Sequence, residues 1–499
     1  MGLQFETKQV SCLQPLKRQL QSAEETAEIR LSDGMPEIGT VLGAWGQMIL
    51  RSKEWNGDSI GLHCGVMAWV LYLPEEGEGV YSVQTWIPVQ LRWDLPPADR
   101  DGNIQTCCAI RQLDARSTSS RRIMVRAVVD AVAEAWVPAQ TPIPVPGAYP
   151  GDVQVLTETY PILLPKEAGE KSFQLEENLT MPASIPKPEK IMYYRLHPEV
   201  TDQKVMAGRA VFRGCGHFHM VYRTEDGRIC SWDTEVPFSQ YMDLDGSFEQ
   251  DARIGIQPCV TSLDLEMNPD GTMLLNAGLL AQFLLWDQEM ITVAQDAYSP
   301  ERTVVPLYGE VYLPAVLDSK TQLLRAEKNL PEELAQVADV VFYPGCGCWE
   351  HKENEAQLNL TGFFRLLGYD GEHRLCSRTV LWDDRFGMPA DASTRMHWWV
   401  NTSKAAQAMS VIGGVDLRAD IQVDSTVYTG QDLRIMTGME LEDATEKDPN
   451  RPSLILCRKG NRRLWDVAKE TGSTVAAIES ANHLTGEPDG ERILLIPIQ

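Results

Sequence analysis

Cationic residues are scarce in this 499-residue chain, where 45 Lys and Arg stand against 70 Asp and Glu for a formal net charge of −25. Such a field repels polyanions, which argues against DNA, RNA or an anionic membrane surface as a partner. Long apolar runs are also missing: no stretch of about 18 such residues is available for a membrane span. The segment Met1 to Val10 lacks the apolar core of about 7–15 residues that a secretory signal needs, so the chain is expected to stay in the cytoplasm. Cysteine occurs 11 times, an odd number, and never as Cys-x-x-Cys, which argues against a disulfide framework or a zinc ribbon and for reduced thiols. Gly-x-Ser-x-Gly, His-Glu-x-x-His and phosphate-loop signatures are absent too. The carboxylate pairs Glu75-Glu76, Glu176-Glu177, Glu332-Glu333 and Asp383-Asp384 are what an acidic chain carries on solvated faces. No catalytic residue and no cofactor is assigned, and the chain reads as non-enzymatic.

What is present is enough apolar material for packed cores, with 43% hydrophobic residues and 13 Trp. At about 150 residues per domain the length suggests three or four domains. Self-similarity fits this. Cys64 to Tyr72, a Gly turn at Gly79, and Trp86-Ile87-Pro88-Val89 are echoed by Gly214 to Tyr222, Gly227, and Glu235-Val236-Pro237-Phe238. Ile104 to Cys107 returns as Ile256 to Cys259, and Ala127 to Trp136 as Ala277 to Trp286, all at an offset near 150. A diverged third copy runs from Pro331 through Gly362 to Tyr369, turns at Asp370-Gly371, and alternates at Val415, Leu417, Ala419, Ile421 and Val423 as strands do. The expected fold is mainly β, with tandem sandwich-like repeats at 1–165, 166–305 and 306–442. Boundaries between repeats are expected in the Pro-rich stretches Pro142–Pro150, Pro161–Lys166 and Ser299–Pro306, where Pro removes backbone donors and disfavours ladder pairing. The polar stretch 443–452 reads as a flexible linker that leaves the tail mobile.

Residues 453–499 form a separate pattern. Leu454 to Cys457 suits a strand. Leu464, Val467 and Ala468 share one helix face before Gly472, and Ser473-Thr474 restarts a helix carrying Val475 and Ile478. Ile493 to Pro497 closes with a strand. This βααβ order, with Lys459-Gly460, Leu464-Trp465, Val467-Ala468, Ile478, Asn482 and Ile496-Pro497, resembles a LysM module. The resemblance implies a binding surface formed by two loops: Gly460, Asn461, Arg462, Arg463, Leu464 and Trp465 on one, Asn482, His483, Leu484, Thr485 and Gly486 on the other. LysM modules usually carry Gly-Asp-Thr before the Leu, whereas here Gly460 is followed by Asn461-Arg462-Arg463, longer and basic. Trp465 and the two arginines are read as exposed, residue types common at interface hot spots.

Two clusters invite a metal reading. His217 and His219 alternate onto one strand face, but Met67 and Trp69 hold the matching places in the first copy; Cys346-Gly347-Cys348 with His351 has thiols closer together than zinc sites favour. No metal is expected at either. Tandem repeats of this size with one C-terminal LysM look like the SPOCS-repeat, SipL-type spore morphogenetic proteins of endospore-forming Clostridia. That resemblance implies a scaffold made in the mother cell and placed on the forespore surface, whose LysM binds the coat basement-layer ATPase. The alternative is a protein that binds N-acetylglucosamine-containing peptidoglycan through the same loops.

Overall fold

The computed structural model describes residues 2–96, 102–206, 208–248, 251–268, 271–352, 355–390, 394–402, 405–444, 452–488 and 492–498. After a short β1 (Gly2–Gln4), strands come in three sets. The first is β2 (Glu6–Arg30), β3 (Ile38–Trp55), β4 (Ser59–Pro74), β5 (Tyr81–Asp94), β6 (Asn103–Ser119) and β7 (Arg122–Val145). The second is β8 (Gln154–Leu179), β9 (Lys190–Met206), β10 (Arg209–Arg223), β11 (Ile229–Asp243), β12 (Arg253–Met267) and β13 (Met273–Tyr298). The third is β14 (Arg302–Leu330), β15 (Gln336–Pro344), β16 (Cys348–Lys352), β17 (Glu355–Tyr369), β18 (Leu375–Pro389), β19 (Arg395–Thr402), β20 (Gln407–Val411) and β21 (Gly414–Ala444).

Every set builds the same two antiparallel sheets. One joins the long first and last strands to the penultimate element: β2-β7-β6, β8-β13-β12, and β14-β21 with β19 and β20 on β21. The other is a meander: β3-β4-β5, β9-β10-β11, and β15-β17-β18 with β16 also on β17. In the first set Val66, Ala68 and Val70 of the meander meet Val125, Ala127 and Val129 of β7 in one core. A sheet covered on one face alternates, whereas β4 is buried almost continuously because both of its faces are packed.

Shared details tie the sets together. Tyr72 donates its hydroxyl to Pro36 O at 3.1 Å, and Tyr222 donates to Pro186 O at 2.9 Å, each across 36 residues. Tyr72→Phe and Tyr222→Phe are therefore expected to destabilise the protein equally, each by about 1 kcal/mol, in urea unfolding. Each long hairpin also carries a bulge opposite an aromatic residue. The register shifts lie next to Trp136 paired with Pro15, Trp286 paired with Pro165, and Tyr428 paired with Val316.

Strand pairing revises the expected cuts between repeats. The cuts at 165/166 and 305/306 fall inside the continuous strands β8 and β14, and β7 runs to Val145 through Pro138, Pro142 and Pro144. The physical reason is edge position. Among the described residues β7 pairs with β2 alone beyond Trp136, so prolines spaced by an even number of residues direct their missing donors away from β2. Strand β21 likewise reaches Ala444, into the stretch read as a linker; residues 445–451 of that stretch lie outside the described residues.

The three sets do not hang as beads but close on one another. Val10, Cys12 and Ile143 of the first, Ile162, Leu164, Ile291 and Val293 of the second, and Val311, Leu313 and Ile435 of the third share one core along the long hairpins. On the meander sheets, Trp45 stacks on Tyr193 at 5.2 Å, Gly46 N donates to Tyr343 Oη at 3.0 Å, and Arg195 lies 4.2 Å over the Tyr343 ring. β1 completes the closure by pairing Leu3 with Met439 of the third set. A buried charged group locks the first set to the third: Arg18 Nη1 lies 2.5 Å from Glu134 Oε2, the same carboxylate meets His397 Nδ1, and the Arg18 guanidinium covers the Trp398 ring at 3.5 Å.

The tail comprises β22 (Leu454–Arg458), α1 (Leu464–Thr471), α2 (Val475–Asn482) and β23 (Ile493–Pro497), the expected βααβ order. Gly472, at φ 69°, closes α1 in the left-handed region, and Thr474 accepts from Ala477 N to open α2. Among the described residues no helix is long and apolar enough to cross a membrane.

Candidate functional site

The two loops expected to form a binding surface do lie together, held by a residue that the sequence reading did not single out. Glu487 accepts from Leu464 N at 2.9 and 3.1 Å, capping the start of α1, and lies 3.2 Å from Lys459 Nζ. A carboxylate 23 residues from the helix it caps leaves no local sequence signature, since the contact exists only once β23 returns beside β22. Asn482 is a clip rather than a surface donor. Its amide donates to Leu495 O at 2.6 Å and Ile478 O at 2.8 Å, and its oxygen accepts from Leu495 N at 2.8 Å.

The expected residues therefore divide. Asn461, Arg463, His483 and Thr485 are exposed, Gly460, Arg462, Leu484 and Gly486 are partly covered, and Leu464 and Trp465 are buried. The two arginines differ in use. Arg462 staples its own turn, donating to Lys459 O at 3.1 Å and pairing with Glu470, while Arg463 projects outward with Asp466 only 3.7 Å away. On the module's other side Leu454, Leu456 and Ile493 leave an apolar face exposed on the β22–β23 ribbon.

Trp465 was expected to be exposed and is 8% accessible. It packs edge-on against Tyr298 of β13 with centroids 4.8 Å apart, and its indole Nε1 donates to Asp296 Oδ2 at 3.0 Å. Lys469 Nζ reaches the same carboxylate at 2.7 Å, and Tyr298 donates to Ser473 O at 3.0 Å. The module is thus docked on the second set, contrary to the mobile tail expected from residues 443–452. A Trp on the buried face of an amphipathic helix looks the same in sequence whether its cover is the module itself or a neighbour.

The two metal candidates from sequence do not assemble as read. Cys346 Sγ points to the carbonyls of Cys107 and Asp130 at 3.4 Å, while His351 Nε2 lies 2.8 Å from Thr394 O and 3.1 Å from Trp349 Nε1. His217 and His219 share a face but answer to different carboxylates: His219 lies 2.8 Å from Asp233 and 3.2 Å from Asp339, His217 2.7 Å from Glu199. Burial opposes charge on His219, but Asp339 and Asp233 outweigh it and push its pKa up to about 10.

Among protein families, the model described as SipL, SPOCS domain matches residues 187–268. The match spans β9 to β12, the whole meander of the second set and the strand that follows it. No curated protein and no solved structure matches this chain. The chain carries a SPOCS-family segment, a non-catalytic module, within a mainly β body of repeated antiparallel sheets.

Proposed function

We propose that this chain is a scaffold of spore-coat assembly, made in the mother cell and placed at the forespore surface, where its C-terminal LysM-like module holds the coat basement-layer ATPase. The SPOCS match in the central set carries the reading, and the βααβ tail after the third set supports it. The tail also has features suited to a protein partner. Arg463 is the more exposed of the two arginines on its loop, with only a long 3.7 Å pairing to Asp466, and the backbone N–H that starts α1 is already taken by Glu487 rather than left for a sugar acetamido group. An outward guanidinium steers an acidic partner, and the apolar ribbon of Leu454, Leu456 and Ile493 offers area to bury. A fluorescent fusion of the full chain in sporulating cells tests this placement. It should form a shell at the forespore that is lost in cells lacking the ATPase. A diffuse signal in both strains would refute the reading.

A further inference from the structure

Three side chains of different ligand chemistry meet on the meander of the second set. Glu199 of β9 and Cys215 of β10 are cross-strand partners, and His217 lies two residues on, over the same face. His217 Nε2 lies 2.7 Å from Glu199 Oε2 and 3.4 Å from Cys215 Sγ, and the three donor atoms all fall within 4.8 Å of one another. All three residues are half-buried, so an ion can reach them without the hairpins opening. On the far side of the ring, Nδ1 lies 3.7 Å from Glu235 Oε1 on β11, and His197 stacks on His217 at 6.5 Å.

We propose that Glu199, Cys215 and His217 form a zinc site, with one carboxylate oxygen, the thiolate and Nε2 as ligands and the fourth position open to water or an incoming donor. A mixed O, N, S set suits zinc better than the hard cations, which take oxygen ligands, and three protein ligands with one open position is a known zinc arrangement. In a tetrahedral site with Zn–N of about 2.0 Å and Zn–S of about 2.3 Å, nitrogen and sulfur stand about 3.5 Å apart. The Cys215–His217 separation is already close to that. The shorter Glu199–His217 contact is a hydrogen bond, which the ion would replace after an opening of about half an ångström. Glu235 faces the ring's other nitrogen from 3.7 Å, and a small inward shift of this exposed side chain would let it take that N–H and fix the tautomer, as an outer carboxylate does for a ligating histidine.

The fold itself does not require these side chains. Tyr72 and Tyr222, which make the same bond to Pro36 and Pro186, align the two meanders at an offset of 150, and the corresponding first-set residues are Ile49, Gly65 and Met67. Ile49 and Gly65 are cross-strand partners there just as Glu199 and Cys215 are here. The same backbone is thus built with no ligand at all. Sequence reading had seen only the His217/His219 alternation, because Glu199 enters from a neighbouring strand.

Cobalt titration of the chelator-treated full-length protein tests the site. One equivalent of Co²⁺ should give sulfur-to-cobalt charge-transfer absorption that Zn²⁺ bleaches. Cys215→Ser should abolish the band and weaken zinc binding at least 100-fold. Glu235→Gln should keep the band and weaken binding about 10-fold or more, and Cys376→Ala, on a different sheet, should change neither. If Cys215→Ser does not fold, as judged by circular dichroism, His217→Gln carries the same expectation for zinc affinity. Absence of the band, or a band and affinity that survive Cys215→Ser and His217→Gln, would overturn the proposal.

Discussion

Glu134→Ala is expected to destabilise the protein by roughly 3–5 kcal/mol, because it leaves the Arg18 guanidinium buried beside His397 with no carboxylate to answer it. Glu134 is fully buried, and Arg18, whose side chain keeps only 13% exposure, also donates to Trp398 O at 3.2 Å. Glu134→Gln should cost less. The amide oxygen can still accept from Arg18 Nη1, which lies 2.5 Å from Glu134 Oε2 in the wild type, so the guanidinium keeps a partner although not a charged one. The pH dependence follows with a definite sign. Burial opposes ionisation of Glu134, but Arg18 and His397 outweigh it and hold the carboxyl below its ordinary value of 4.5. A folded pKa below the unfolded one means that the stabilisation is complete above the unfolded value and is lost as pH falls through the folded one. Urea unfolding below pH 4.5 should therefore show a steeper loss for the wild type than for Glu134→Ala. Parallel acid limbs, or a loss at neutral pH under about 1 kcal/mol, would show that the first and third sets are not locked here.

The second large effect concerns the docked tail. Tyr298→Ala removes the ring against Trp465 and the hydroxyl bonded to Ser473 O, and should weaken docking by on the order of 3 kcal/mol. Asp296→Ala removes the carboxylate that takes both Trp465 Nε1 and Lys469 Nζ. Because both substitutions lie on β13, outside the module, they separate release from unfolding. Hydrogen exchange should rise at Thr292–Tyr298 and at the exposed edge of α1, while the Asn482–Leu495 clip stays protected. If α2 and β23 lose protection as well, the module depends on the body for its fold and is not an adaptor resting on it.

Much of the architecture was legible because it is local. Gly472 and Thr474 mark the helix ends where the structure has them, and the alternation at Val415 to Val423 corresponds to side chains that are all buried. The breaks between sets fall at Pro142–Pro150 and Ser299–Pro306, but the cuts at 165/166 and 305/306 landed inside strands because proline reports only a missing donor, and among the described residues β7 runs through Pro138, Pro142 and Pro144 paired with β2 alone. The ring of three sets, the bulges opposite Trp136, Trp286 and Tyr428, and the Glu487 cap join residues far apart in the chain, where no spacing rule applies. Arg462 and Arg463 show the same limit on a small scale. They are neighbours of equal charge in sequence, and only the fold ties one into its own turn and leaves the other more exposed, with a long pairing to Asp466.

The most direct test of the proposed role is equilibrium binding of the full-length chain to the purified coat basement-layer ATPase and, separately, to N-acetylglucosamine oligomers, at low and high salt. The account predicts binding to the ATPase that weakens with salt and falls by up to about 5-fold in Arg463→Glu at low salt, the range of an exposed ion pair, with little binding to the oligomers. Tight, salt-insensitive binding to the oligomers, unchanged by Arg463→Glu and accompanied by no binding to the ATPase, would contradict it and make the protein a glycan binder.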